Sequence, residues 1–145
     1  MTGITNPTEE YFKDGLWGWD GTQWRKAGVP LWYRSSYFED LGGTATGSYW
    51  SKYSSPVPSG YIYVVTAVSI RNTSRAPTIT EIVVYNELNE YIHLEWAASL
   101  DVTQPLIFRG YQILGEGWKI RVLMNGTQSG DTIIARVAGF KVAIA

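Results

Sequence analysis

The stretch Tyr61-Ile-Tyr-Val-Val-Thr-Ala-Val-Ser-Ile-Arg71 indicates the fold class of this 145-residue chain. β-Branched and aromatic residues dominate it, and its apolar residues recur at every second position, as in a strand with one buried face. The inward face is predicted to comprise Ile62, Val64, Val68 and Ile70. The outward face is predicted to comprise Tyr61, Tyr63, Ser69 and Arg71.

Similar segments follow one another along the chain, separated by turn-forming sequences such as Asn125-Gly126. Together they predict about eight strands, at residues 31–38, 46–53, 61–71, 78–86, 91–96, 105–114, 117–124 and 131–145. In two of these strands the inward positions are predicted to be Ile92, Leu94 and Trp96, and Trp118, Ile120, Val122 and Met124. We therefore expect an all-β protein whose residues 29–145 form a jelly-roll-like β-sandwich, with an immunoglobulin-like sandwich as the alternative.

Residues 1–28 differ from the rest because they are rich in glycine and tryptophan, and we interpret them as an N-terminal arm. Within the arm, Asp20-Gly21 is typical of a two-residue hairpin turn, which would pair Trp17 with Trp24 and place Trp19 on the same face. Two isolated strands are marginally stable in water, so the indole face needs a cover. The three tryptophans are predicted to dock either on another subunit or on the protein's own core.

Composition narrows the classes of partner. The 12 basic and 13 acidic residues give a formal net charge of −1, which offers no electrostatic reason to expect nucleic acid or an anionic membrane. The chain has no cysteine, which excludes disulfides and sulfur-ligated metals. The N-terminus has no basic start followed by an apolar run, so no signal peptide is expected. No segment approaches the roughly 20 apolar residues of a membrane-spanning helix. Protein or sugar is the expected partner, and no cofactor is expected.

His93 is the only histidine, and the alternation around it places it on the outward face of a strand. No second histidine completes a conventional zinc site, and no nucleophile elbow is present. With 13 acidic residues, chance carboxylate pairs are inevitable and do not by themselves predict glycoside hydrolysis. We expect no catalytic activity.

Two runs resemble tailed-bacteriophage proteins. The run Gly15-Leu-Trp-Gly-Trp-Asp-Gly-Thr-Gln-Trp-Arg-Lys26 resembles a signature near the start of phage structural proteins. Residues 113–122 and 130–140 look like the closing strands of jelly-roll domains in phage head-decoration, fibre and tail proteins, although Trp118 stands where such domains often carry an acidic residue. The resemblance implies a virion structural protein made in the host bacterial cytoplasm. It would dock as a capsid decoration, a cement protein or a fibre on the major capsid protein or on neck or tail subunits, often as a homotrimer.

Self-association is also expected from the residues, because several outward strand positions are apolar. The candidate oligomer interface comprises Tyr61, Tyr63, Val65, Val83 and Tyr85. The alternative function is a carbohydrate-binding or receptor-binding module that stacks sugar rings on exposed aromatic side chains. Its candidate residues are Tyr49, Trp50 and Tyr53, although burial in the core also explains most indoles.

Overall fold

The computed structural model describes residues 16–19, 24–27 and 34–144. These residues form strands joined by turns and short irregular segments, without a helix among them. The strands are β1 Leu16–Trp19, β2 Trp24–Ala27, β3 Arg34–Asp40, β4 Gly43–Thr44, β5 Tyr49–Tyr53, β6 Tyr61–Asn72, β7 Ile79–Tyr85, β8 Tyr91–Ala98, β9 Leu106–Leu114, β10 Lys119–Asn125 and β11 Thr132–Ala143. All eight strands predicted from the sequence are present, and only the two-residue β4 was not predicted.

Two antiparallel sheets form the sandwich, with strand orders β5-β10-β7-β8 and β3-β11-β6-β9, and β4 joins the second sheet beside β11. The long strands pair as β3 with β11, β5 with β10, β6 with β9 and β7 with β8. Among these eight long strands, the first in the chain therefore pairs with the last, the second with the last but one, the third with the sixth and the fourth with the fifth. This is the order of a long hairpin rolled into two sheets, which is a jelly roll. The predicted fold class is confirmed, and the strand order excludes the immunoglobulin-like alternative.

The core lies between the inner faces of the two sheets. Its side chains are mostly aliphatic, and three of them from β10 match the predicted inward positions: Ile120, Val122 and Met124 are fully buried. Trp118 packs against the same cluster. Alternation along β10 was therefore sufficient to predict which of its faces is buried.

Strand β6 departs from the predicted alternation. Tyr63 and Val65 are buried in the core, whereas Val64 is only half-buried, which reverses the prediction for this half of the strand. The cause is a β-bulge, because the register with β11 shifts between Ala138 and Gly139. The extra residue on β6, Thr66, exchanges the two faces of the strand. Beyond it, the prediction holds for the buried residues Val68 and Ile70.

Strand β8 shows the same effect. Its register with β7 shifts between Ile82 and Val83, so the predicted inward row is broken. Leu94 packs against the core, but Trp96 is 54% exposed and lies opposite Glu81. Ile92 is exposed as well. The prediction that all three face inward is therefore wrong for Trp96, whereas Ile92 lies opposite the core residue Val84 but stays exposed at the sheet edge.

Strands β1 and β2 form the predicted hairpin in a different register. Trp19 pairs with Trp24 and Trp17 with Lys26, so the predicted pairing of Trp17 with Trp24 is wrong by two positions. Side chains repeat every two residues along a strand, so a shift of two satisfies the same pattern and the pattern could not choose between them. The turn at residues 20–23, the boundary at residues 28 and 29, and the tryptophan side chains lie outside the described residues. Docking by these tryptophans stays a prediction.

A buried polar corner closes the end of the sandwich where β6 meets β11. Asp131 accepts hydrogen bonds from the Asn72 side chain at 3.0 Å and from the Gln128 backbone N–H at 2.9 Å, and it pairs with Arg75 at 3.2 Å. The bonds from Asn72 and Gln128, followed by the charge of Arg75, lower the pKa of Asp131. The carboxylate is thus kept charged and paired, as a buried charge requires.

Candidate functional site

The sandwich has two lateral sides, where the edge strands of the two sheets lie next to each other, and these sides differ in chemistry. On one side, polar contacts link the edge strand β3 to the segment after β5. Glu39 accepts hydrogen bonds from the Ser55 backbone N–H and hydroxyl, both at 2.9 Å, and from the Tyr37 hydroxyl at 2.7 Å. Burial and the bond to Glu39 raise the pKa of Tyr37. These hydrogen bonds therefore tie β3 to the segment after β5 on this side of the sandwich.

The other side is formed by the edge strands β8 and β9, which contact each other across the gap between the sheets. We call it the open rim. Neither strand contains lysine or proline, the residues that commonly protect sheet edges from pairing. Six large hydrophobic side chains are exposed here: Tyr91, Ile92, Trp96, Ile107, Tyr111 and Ile113. The open rim thus combines strand edges that lack lysine and proline but each contain a register shift with exposed apolar surface, which is typical of an interaction site.

An aromatic and basic surface covers the outer face of the sheet β5-β10-β7-β8. Lys119 and Arg121 alternate with the inward residues of β10, and the register brings tyrosines of the neighbouring strands beside them. We call this surface the tyrosine face. It comprises Tyr49, Tyr53, Tyr85, Tyr91, His93, Lys119 and Arg121.

The rings of the tyrosine face follow one another across the sheet. Ring centroids are 5.5 Å apart from Tyr53 to Tyr85, 5.4 Å from Tyr85 to Tyr91 and 5.6 Å from Tyr91 to His93. These spacings lie within the range of favourable aromatic pairs. Tyr49, Tyr53 and Tyr91 keep large exposed fractions, so the row presents ring surface to solvent.

Arg121 holds this row together. Its guanidinium donates to the Tyr85 hydroxyl at 2.9 Å and to the Tyr49 hydroxyl, and it lies 5.4 Å from the centroid of Tyr53. Burial acts to lower the pKa of Arg121, but the Tyr85 hydrogen bond and the nearby tyrosines outweigh it and raise the value. Arg121 therefore stays charged beneath the rings, and Lys119 lies 4.5 Å from the Tyr53 centroid.

The residues predicted for glycan stacking divide between the two faces of β5. Tyr49 and Tyr53 lie on the tyrosine face, but Trp50 is only 9% exposed and belongs to the core cluster. Adjacent residues of a strand point to opposite faces, so the three could not form one row. Sequence reasoning missed Lys119 and Arg121 as members of this surface. The signal was available, because both alternate with the predicted inward residues of β10.

The predicted oligomer interface is not a surface. Tyr63, Val65 and Val83 are buried within the chain, so they cannot be exposed to a partner as expected. The bulge in β6 accounts for Tyr63 and Val65, since it exchanges the faces on which the prediction relied. Val83 keeps its outward face, opposite Arg121, but is covered there by its neighbours. Tyr61 is 37% exposed, and Tyr85 belongs to the tyrosine face.

His93 is exposed on β8, as predicted, and its ring packs edge-on against Tyr91. Among the described residues, no three His, Cys, Asp or Glu side chains are grouped so as to hold a metal ion. Three shallow hollows lined by described residues have volumes of about 120, 280 and 270 Å³. Pockets for small molecules usually measure about 300–1,000 Å³, so these three hollows are smaller than typical ligand pockets.

Within the described ranges, no helix has the length and apolar character needed to span a membrane.

The sequence matches no protein-family model and no curated protein. Among solved structures, the chain is similar to one from infectious bursal disease virus Gt strain, with 11% identity and a TM-score of 0.44, covering 98% of this chain and 36% of that one. It is also similar to the Drosophila NLP-core, with 13% identity and a TM-score of 0.37, covering 74% and 98%. A family 29 carbohydrate-binding module gives 13% identity and a TM-score of 0.34, covering 75% and 89%. These values describe remote likenesses.

Proposed function

We propose that this chain is a non-enzymatic virion structural protein of a tailed bacteriophage, a capsid-decorating or fibre subunit that docks on other protein subunits through its open rim. The observation that carries the docking role is the open rim itself. Its exposed apolar side chains contrast with the side at β3, where Glu39 accepts hydrogen bonds from the segment after β5. The virion setting rests on the sequence resemblance to phage structural proteins.

Burial of the open rim would supply the docking energy. Apolar surface stabilises an interface by roughly 25 cal/mol for each Å² removed from water. Trp96 and Ile113 are 54% and 60% exposed, so each would contribute on the order of 1 kcal/mol when covered. Pairing of the free backbone groups of β8 or β9 would add orientation and specificity, as in other strand-addition complexes. Left uncovered, the same edges favour aggregation.

The test of the virion role is sedimentation. Particles of the phage that encodes the chain are banded on a density gradient and probed with an antibody against the chain. We expect the chain in the particle band, with a defined copy number relative to the major capsid protein. A chain that stays at the top of the gradient while capsid protein bands normally would show that the proposal is wrong.

A second candidate function is polysaccharide binding, and the tyrosine face is the observation that favours it. A row of exposed rings can stack on the C–H faces of successive sugars, while Lys119 and the tyrosine hydroxyls offer hydrogen bonds to sugar oxygens. Arg121 holds the rings in place before any ligand arrives, which reduces the entropy lost on binding.

For this candidate we expect Tyr91→Ala to weaken binding of a host surface polysaccharide about tenfold, which corresponds to about 1.4 kcal/mol. Tyr111→Ala is the matched control, because Tyr111 is 81% exposed but lies on β9, away from the tyrosine face. Titration calorimetry with soluble polysaccharide measures both. Equal weakening by the two variants, or no binding by the unmodified protein, would exclude the tyrosine face as a glycan site.

A further inference from the structure

Strand β9 has a symmetric pattern along its length. The nine residues Leu-Ile-Phe-Arg-Gly-Tyr-Gln-Ile-Leu run from Leu106 to Leu114, with Gly110 at the centre. Their exposure is symmetric too: buried at both ends, then exposed, half-buried and exposed on either side of an exposed centre. The strand is at the edge of its sheet, and among the described residues it pairs only with β6. The register with β6 shifts where Gly110 and Tyr111 lie opposite Thr66, but every odd-numbered residue from Ile107 to Ile113 stays exposed. A strand with this symmetry can be complementary to a second copy of itself.

We propose that the open rim binds a second copy of this chain, by antiparallel pairing of β9 with β9 about a twofold axis at Gly110. The proposal rests on the docking role of the open rim proposed above and names its partner. A twofold axis makes the two surfaces identical, so each contact occurs twice. The facing pairs would be Leu106 with Leu114, Ile107 with Ile113, Phe108 with Gln112, and Arg109 with Tyr111.

These facing pairs are chemically compatible. On the outer face, Ile107 and Ile113 are both exposed in the single chain and would cover each other. Arg109 would lie opposite a tyrosine ring, a favourable cation–π arrangement. At the axis the two glycines carry no side chain, so the strands meet without steric conflict. With a net charge of only −1, two copies do not repel strongly.

Neighbouring registers are less favourable. An axis midway between two residues would place an inward residue of one strand opposite an outward residue of the other, whereas opposite residues of an antiparallel pair point to the same face. Moving it to Arg109 places two arginines directly opposite each other, which is destabilising. Moving it to Tyr111 places Arg109 opposite Ile113 and separates the two isoleucines. The axis at Gly110 is therefore the register that the residues select.

Within the described residues no side chain covers this edge permanently, and the register shift at Gly110 and Tyr111 is the irregularity that a partner strand has to match. Gln112 Nε2 donates to the Ile113 carbonyl at 3.0 Å, a local bond that rotation of the side-chain amide releases. The other edge of the same sheet, β3, is linked to the segment after β5 through Glu39. Pairing at β9 would join two sheets edge to edge and protect both edges from uncontrolled association.

Because the chain has no cysteine, single cysteines can test the register directly. Full-length Ile107→Cys and Ile113→Cys proteins are prepared separately, then studied alone and mixed, in the presence of oxidised glutathione. Facing residues of antiparallel strands have Cα atoms about 4.5–5.5 Å apart, within the range for a disulfide. Identical positions across the axis would be roughly 20 Å apart, at about 3.4 Å per residue, which is too far.

We expect a disulfide-linked dimer from the mixture and none from either variant alone, and a dimer mass for the unmodified protein by light scattering. Both isoleucines are exposed, so neither change should affect folding. A monomer mass without cross-linking, a trimer mass, or equal cross-linking of each variant alone would each contradict the proposal. Sedimentation with phage particles is measured independently. A particle-bound chain that fails to cross-link would leave the virion role intact and overturn only the β9 pairing.

Discussion

Val65→Asp is expected to lower the free energy of unfolding by about 4 kcal/mol or more, whereas Val64→Asp should lower it by about 1 kcal/mol. Val65 has no exposed surface and lies in the core cluster, so an aspartate there would be a buried charge without a partner. Val64 is half-buried on the opposite face, where a carboxylate can reach water. Chemical denaturation of both variants measures the difference.

This pair of variants isolates the bulge in β6, because the two residues are adjacent and identical in type. Uninterrupted alternation along residues 61–71 would make Val64 the sensitive position and Val65 the tolerant one. A larger loss for Val64→Asp would therefore contradict the bulge at Thr66. A loss of about 4 kcal/mol should also lower the melting temperature by more than about 8 °C, which thermal unfolding would detect.

Replacing Trp96 and Ile113 together by aspartate is expected to abolish docking on the virion without altering stability. Both side chains are exposed on the open rim, so the folded monomer loses little when they change. In an assembled particle the same positions would be buried, and two unpaired charges there would weaken attachment by 100-fold or more, which corresponds to about 3 kcal/mol. Binding of purified variant to particles that lack the chain measures attachment.

Phe38→Asp is the matched control for this experiment. Phe38 is 63% exposed, but it lies on β3, at the opposite side of the sandwich from the open rim. We expect this variant to bind particles normally and to melt at the same temperature. If Phe38→Asp loses attachment while the open-rim variant attaches normally, the docking surface lies at the β3 edge and the proposal for the open rim is wrong.

The amino-acid sequence by itself was sufficient for the fold class and for the strands. Period-two alternation and turn-forming residues are local properties, and they predicted all eight long strands. In β10, where no bulge interrupts the strand, they also predicted the buried residues Ile120, Val122 and Met124. The exposed position of His93 followed in the same way.

In the bulged strands, only the tertiary structure decided which side chains are exposed. An extra residue such as Thr66 exchanges the two faces of a strand, and its place depends on how β6 meets β11 and β9 rather than on local propensity. Gly139 is the residue that allows this close approach, since a Cβ there would clash with the Val64 carbonyl. A single glycine in a strand sequence does not reveal which neighbouring strand approaches it.

The candidate sites depend on long-range contacts for the same reason. Tyr49 and Tyr53 were predicted as exposed aromatics, but their association with Arg121 and Tyr85 exists only because β5, β10 and β7 are neighbours in the sheet. The open rim likewise exists because β8 and β9, each at the end of a different sheet, lie side by side. Strand order is set by the energy of the whole packed sandwich, and alternation within one strand carries no information about it.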